Sequence, residues 1–97
     1  MTYTVTKSTT FLRWLNQLRD KRAKARIAIR IDRVEEGNFG DHRSVGGGVS
    51  ELRIHVGKGY RVYYTIRNEV VVILLCGGDK STQSQDIERA QQMASEL

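Results

Sequence analysis

Residues 70–76 read Val-Val-Val-Ile-Leu-Leu-Cys, apolar at every position. Successive side chains of a β-strand point to opposite faces, so this segment is a central strand that must be covered on both sides. It is far short of the roughly 18–20 apolar residues a membrane span needs, and no other run comes nearer. The segments before it tell the fold how to meet that demand. Val49–Val56 alternates Leu52, Ile54 and Val56 with Glu51, Arg53 and His55. Tyr60–Arg67 alternates Val62, Tyr64 and Ile66 with Arg61, Tyr63, Thr65 and Arg67. Gly57-Lys58-Gly59 and Asn68-Glu69 supply the two turns, and the three segments form an antiparallel meander.

The N-terminal third supplies a layer for the sheet. Tyr3–Lys7 reads as a short strand. Ser8, Thr9 and Thr10 offer N-cap oxygens, and Phe11, Trp14, Leu15 and Leu18 fall at i, i+3, i+4, i+7 on one helix face. Asp20 can cap a second helix from about Lys21 to Glu36, with Gly37 as its stop and Ala23, Ile27, Ile31 and Val34 as its apolar stripe. Arg22, Arg26, Arg30 and Arg33 form a basic stripe beside it. Two adjoining apolar stripes favour an αα-hairpin on the sheet over a helix lying on a membrane. Residues 38–48, with their turn chemistry and Gly46-Gly47-Gly48, read as a flexible connection; no Lys-Ser/Thr follows, so they are not a P-loop. Thr82-x-x-Gln85 reads as a capping box opening a last helix to about Ser95. The order is β-α-α-β-β-β-α: an α+β fold with a twisted antiparallel sheet and an N-terminal αα-hairpin on one face, one domain over residues 1–97.

Composition narrows the function classes. Sixteen Lys and Arg against 11 Asp and Glu give a net charge of +5. The excess is concentrated in residues 1–33, which hold nine basic and two acidic side chains. Such a surface attracts polyanions, either nucleic acid or an acidic partner. One cysteine allows no internal disulfide, and the N-terminus lacks a signal pattern, so a cytoplasmic location is expected. Two histidines and one cysteine cannot make a zinc cluster, the carboxylates are too scattered for a divalent-metal nuclease, and Cys76 in an apolar strand reads as inert. No cofactor is implied.

The polar face of the meander holds the chemistry. If Leu52, Ile54, Val62, Tyr64 and Ile66 face the core, then Glu51, Arg53, His55, Arg61, Tyr63 and Arg67 share the other side. Antiparallel neighbours stand about 5 Å apart. Asp79 and Lys80 reach the rim at the end of the apolar strand, and Lys58 lies in the turn. Arginines bind phosphate oxygens bidentately, Glu51 or His55 can accept a proton, and Tyr63 can stack on a base. An ordinary solvated face with cross-strand salt bridges has the same pattern.

Glu51-Leu52-Arg53-Ile54-His55, Gly57-Lys58-Gly59-Tyr60-Arg61-Val62-Tyr63-Tyr64 and Val71–Gln83, with its Gly-Gly-Asp-Lys-Ser-Thr-Gln segment, carry a resemblance over essentially the whole chain. The sequence resembles the RelE/ParE toxin superfamily of bacterial toxin–antitoxin modules, and most nearly its HigB-like addiction-module-killer branch. The resemblance implies a ribosome-dependent endoribonuclease that cuts mRNA with the 2′-hydroxyl as nucleophile and no metal. It places Arg61 on the scissile phosphate, Arg53 and Glu51 where relatives carry proton-transfer groups, and Lys80 near a C-terminal arginine of some relatives. Lys58, Tyr63, Arg67 and Asp79 complete the expected substrate surface. Gln85-Asp86-Ile87 departs from the pattern, since many relatives have a Tyr or His there. The implied partners are the ribosome, mRNA and a small antitoxin of helix-turn-helix type. ParE-like members of the superfamily instead inhibit DNA gyrase, and that alternative stands beside the first.

Overall fold

The computed structural model describes residues 1–97. Its elements are β1 (Thr4–Lys7), α1 (Thr9–Gln17), α2 (Lys21–Glu35), β2 (His42–Gly46), β3 (Val49–Ile54), β4 (Tyr60–Arg67), β5 (Val71–Asp79), a 3-10 turn (Lys80–Thr82) and α3 (Gln83–Ser95). The five strands lie in the order β1-β5-β4-β3-β2. The apolar run is therefore interior, with β4 antiparallel on one side and β1 parallel on the other. No helix is long and apolar enough to cross a membrane.

The α+β fold and the helix pair on one face are as the sequence indicates. The parallel β1–β5 pairing makes the sheet mixed rather than antiparallel throughout. A larger difference lies at 38–48, expected as a flexible connection. His42–Gly46 is a strand, paired antiparallel with β3 so that Arg43 stands opposite Glu51 and His42 opposite Leu52. The three glycines are its turn, with φ of +90°, +63° and +76° at Gly46, Gly47 and Gly48. Only glycine adopts such a run without steric cost. The tight turn at Asn68-Glu69 is present, both residues having positive φ.

Local chemistry fixes the helix starts. Ser8 Oγ accepts from Phe11 N at 3.0 Å and donates to Leu75 O at 2.7 Å, which pins α1 to β5. Asp20 accepts from Ala23 N at 3.0 Å and caps α2. The capping box at Thr82 does not form; its hydroxyl donates to Asp86 at 2.6 Å.

Two cores sit on opposite faces of the sheet. Phe11, Ala23, Ile27, Ile31 and Val34 of the helix pair pack on Leu52, Ile54, Val62, Tyr64, Val72 and Leu74. Ala90 and Ala94 of α3 pack on Val49, Tyr63, Leu75 and Cys76. Val72 and Leu74 of β5 feed the first core and Leu75 and Cys76 the second; the alternation breaks at a register shift, where Tyr63 pairs with Cys76 and Tyr64 with Leu74. Each fully buried aliphatic side chain contributes roughly 1.5–3 kcal/mol. Cys76 lies under α3, and burial, with Asp86 nearby, pushes its thiol up to about 11.

The strand ends where both helix layers press on it. A Cβ at Gly77 would overlap the Trp14 ring of α1, and one at Gly78 would overlap the Asp86 carboxylate of α3. The Gly-Gly pair is thus a two-sided clearance. We expect Gly77→Ala and Gly78→Ala each to lose about 1–3 kcal/mol in denaturant titrations. Gly77→Ala alone should shift the emission of Trp14, the single tryptophan. Cys76, 1% exposed, should resist native thiol reagents and react only as fast as the fold opens. Fast labelling of the native protein would place α3 off the sheet.

Candidate active site

Glu51 is central to the polar face. It is 0% exposed, because α3 lies across the surface that the strand pattern left open. A buried carboxylate needs positive or hydrogen-bonding partners. Arg43 Nε donates to its Oε2 at 3.3 Å from β2, and Gln83 Nε2 donates to its Oε1 at 3.1 Å from α3. Arg61 Nε lies 3.5 Å from Oε2, within ion-pair reach but without hydrogen-bond alignment. The Arg61 side chain is 11% exposed, so only one edge of it meets solvent. The paired carboxylate holds Arg61 in place and offers no free oxygen to a ligand. Glu51, expected on an open polar face, is thus buried against Arg43, Arg61 and Gln83.

A second carboxylate organises the exposed part. Asp41 accepts from Arg53 Nε at 3.1 Å and Nη2 at 2.7 Å, and its other oxygen bonds His55 Nε2. These bonds to His55 and Arg53 hold the Asp41 carboxyl below the usual carboxylate range. The Asp41 position is itself fixed by Arg30 of α2. This buried guanidinium donates to the carbonyls of Arg53 (2.6 Å), Phe39 (3.0 Å) and Asp41 (3.0 Å). Arg30 thus leaves the exposed basic stripe for a structural role, and desolvation lowers its pKa.

The register brings the cationic groups to one end of the sheet. Arg53 stands opposite Arg61, and Arg61 opposite Gly78. The Gly78 clearance admits the Asp86 carboxylate of α3. His55 follows β3 at that end and is largely exposed. Lys58, in the β3–β4 turn, pairs with Asp79 at 3.7 Å. Asp79 caps the 3-10 turn through Ser81 N at 2.8 Å, and those bonds from Ser81 lower its pKa. Lys80 is exposed and packs its stem on Gly59.

Two expected site residues are elsewhere. Tyr63 is 0% exposed beneath α3, its hydroxyl has no partner, and burial followed by Glu51 pushes its pKa up. Its ring is not available to stack on a base. Arg67 is at the other end of β4 and donates to Ala94 O at 2.9 Å, closing the C-terminus of α3. Sequence reasoning missed Asp41, Arg43 and Gln83. Arg43 could have been found by extending the strand alternation through residues 42–46. Asp41 and Gln83 carry no such signal.

The arrangement can hold an anion between Arg53 and Arg61 and present an oriented imidazole beside it. Solved structures share the fold. A double arginine-to-alanine mutant of E. coli toxin RelE in the free state matches with a TM-score of 0.75 at 15% identity, over 97% of this chain and 98% of that one. The toxin–antitoxin complex RelBE2 from Mycobacterium tuberculosis matches with a TM-score of 0.66 at 24% identity, over 82% of this chain and 100% of the matched chain. The chain therefore has the fold of the RelE toxins. An uncharacterized protein of Haemophilus influenzae is 55% identical over 97 residues, 100% of this chain and 98% of that protein. The family model described as phage derived protein Gp49-like (DUF891) matches residues 13–95, and the chain belongs to that Gp49-like family.

Proposed function

We propose that this chain is the toxin of a bacterial toxin–antitoxin module, of the HigB-like type, and cleaves mRNA on the ribosome without a metal. The observation that carries the reading is the opposed pair Arg53 and Arg61 beside His55, with Arg61 backed by buried Glu51. The shared fold of the RelE toxins supports it. In the reaction the 2′-hydroxyl oxygen attacks the adjacent phosphorus, and the bond to the 5′-oxygen breaks. The products are a 2′,3′-cyclic phosphate and a free 5′-hydroxyl. One proton leaves the nucleophile and one reaches the leaving oxygen. Arg61 and Arg53 neutralise the charge that builds on the non-bridging oxygens. His55, oriented by Asp41, moves a proton at the same end of the sheet. Lys58 and Lys80 extend the positive rim along the strand, with Asp79 steadying Lys58.

A cognate antitoxin completes the reading. RelBE2 is a toxin held with its antitoxin, which supports such a partner here; the helix-turn-helix type follows from the HigB-like resemblance.

Single-turnover cleavage of ribosome-bound mRNA tests the site. Arg61→Ala should lose about 10²–10³ in rate, as expected for one preorganised donor. Arg53→Ala and His55→Ala should also be slow, while Arg67→Ala, at the far end of β4, should cleave at the parent rate. If Arg61→Ala, Arg53→Ala and His55→Ala all cleave at the parent rate, this sheet end is not the active site; a parent that cuts no mRNA would replace RNA cleavage with gyrase inhibition as the reading. A pH titration of stability tests the Asp41 bridge separately. Its depressed folded-state pKa gives stability that is present above the ordinary carboxylate value of about 3.9 and lost as pH falls through the folded value. The stability gap between the parent and Asp41→Asn should close on acidification through that window, and a gap unchanged by pH would contradict the bridge.

A further inference from the structure

Beyond the Arg53–Arg61 pair, a recess of about 260 Å³ opens at the sheet edge, where β2 no longer covers β3. One wall is α2, with Arg26, Arg30 and Arg33 facing the opening; the other is His55 and Asp41. Arg30 is committed to backbone carbonyls. Arg26 and Arg33 are exposed and make no ion pair. The carboxylate in the recess is already answered, since both Asp41 oxygens are bonded to Arg53 and His55. The recess is therefore a net cationic cavity that shares His55 with the candidate active site.

We propose that this recess is a phosphate subsite, which seats a backbone phosphate of the single-stranded RNA flanking the cleaved linkage. The inference rests on the RNA-cleaving reading and names where the substrate strand goes next. Arg26 and Arg33 lie two turns, about 10 Å, apart along α2, on either side of Arg30, and each guanidinium can offer a pair of parallel donors to phosphate oxygens. Asp41 links Arg53 to His55 at the sheet edge, and Arg26 and Arg33 stand across the opening on α2. An acidic protein segment fits the recess less well. Protein interfaces centre on apolar anchors, and Ile54 is the one hydrophobic residue in this lining. A strand that crosses the edge here also has a fixed direction over His55, so the recess sets which linkage meets the imidazole.

The test uses a short single-stranded RNA with 2′-O-methyl groups, which cannot supply the nucleophile. Its binding is followed by anisotropy over a range of salt and by NMR of the labelled protein. The double variant Arg26→Gln/Arg33→Gln is compared with Arg19→Gln/Arg22→Gln, which removes the same charge from exposed positions outside the recess. Loss of one phosphate contact should lower the log–log salt slope by about 0.7 in the recess variant and leave it unchanged in the control. The parent should show probe-induced shifts at Gly40, His55 and the Arg26 and Arg33 side chains. Equal slopes for the two double variants would reduce the recess to diffuse charge and overturn the proposal. So would the absence of shifts at millimolar probe, or recess shifts produced by a polyglutamate peptide and not by the RNA. Because the probe is not cleaved, the two readings fail separately. A chain that binds it through the recess and never cuts mRNA keeps this subsite and loses the nuclease activity. One that cuts through Arg61 with equal slopes does the reverse.

Discussion

A carboxylate removed from water has to be answered inside the protein, and Glu51 is answered from three elements at once. Arg43 arrives from β2, Arg61 from β4 and Gln83 from α3. Each contact presupposes an element in place: the β2–β3 hairpin in register, α3 docked across the sheet, and β4 paired so that Arg61 lies beside Arg53. Removing one partner of a buried pair typically costs about 3–5 kcal/mol, because the other charge is left unmatched. The same arrangement that makes the interaction demanding holds Arg61 with one edge to solvent and little freedom. A guanidinium fixed in that way needs no reordering when a phosphate arrives.

The exposed half of the site is built on a second, softer arrangement. Asp41 joins Arg53 to His55 at the surface, and Arg30 fixes the backbone beneath it through three carbonyls. Two carboxylates thereby order the two halves. The buried one orders an arginine, and the exposed one orients an imidazole that remains open to solvent. The Gly77-Gly78 step serves both, since Trp14 and Asp86 close on it from opposite sides and set the height of α1 and α3 over the sheet end.

Much of this was legible in the chain. The all-apolar β5, the alternation in β3 and β4, and the stripes of α1 and α2 follow from periodicity, and they supply the core under the helix pair, except that Ile66, expected there, is exposed. The β2 strand escaped notice because its five residues end in glycine and include one apolar side chain, Val45, which leaves too little alternation to detect. The docking of α3 was foreshadowed by the second face of β5, yet its reach over Glu51 and Tyr63 was not. A carboxylate and a phenol on a polar strand face read as surface until a helix covers them. Of the site, Arg53, Arg61 and His55 were visible as a shared face. Asp41 was not, because an acid in a turn-rich segment has no periodicity to betray its partners. Arg67 and Tyr63 share the face by parity alone; distance along β4 and burial remove them.

In the proposed reading Glu51 acts through Arg61 and not on the substrate. Single-turnover cleavage by Glu51→Gln, Arg61→Ala and the double variant, each corrected for its folded fraction, separates the two roles. The account predicts strong non-additivity: with Arg61 already removed, Glu51→Gln should slow the reaction no further. Losses that multiply in the double variant would make Glu51 an independent participant in the chemistry and contradict the account.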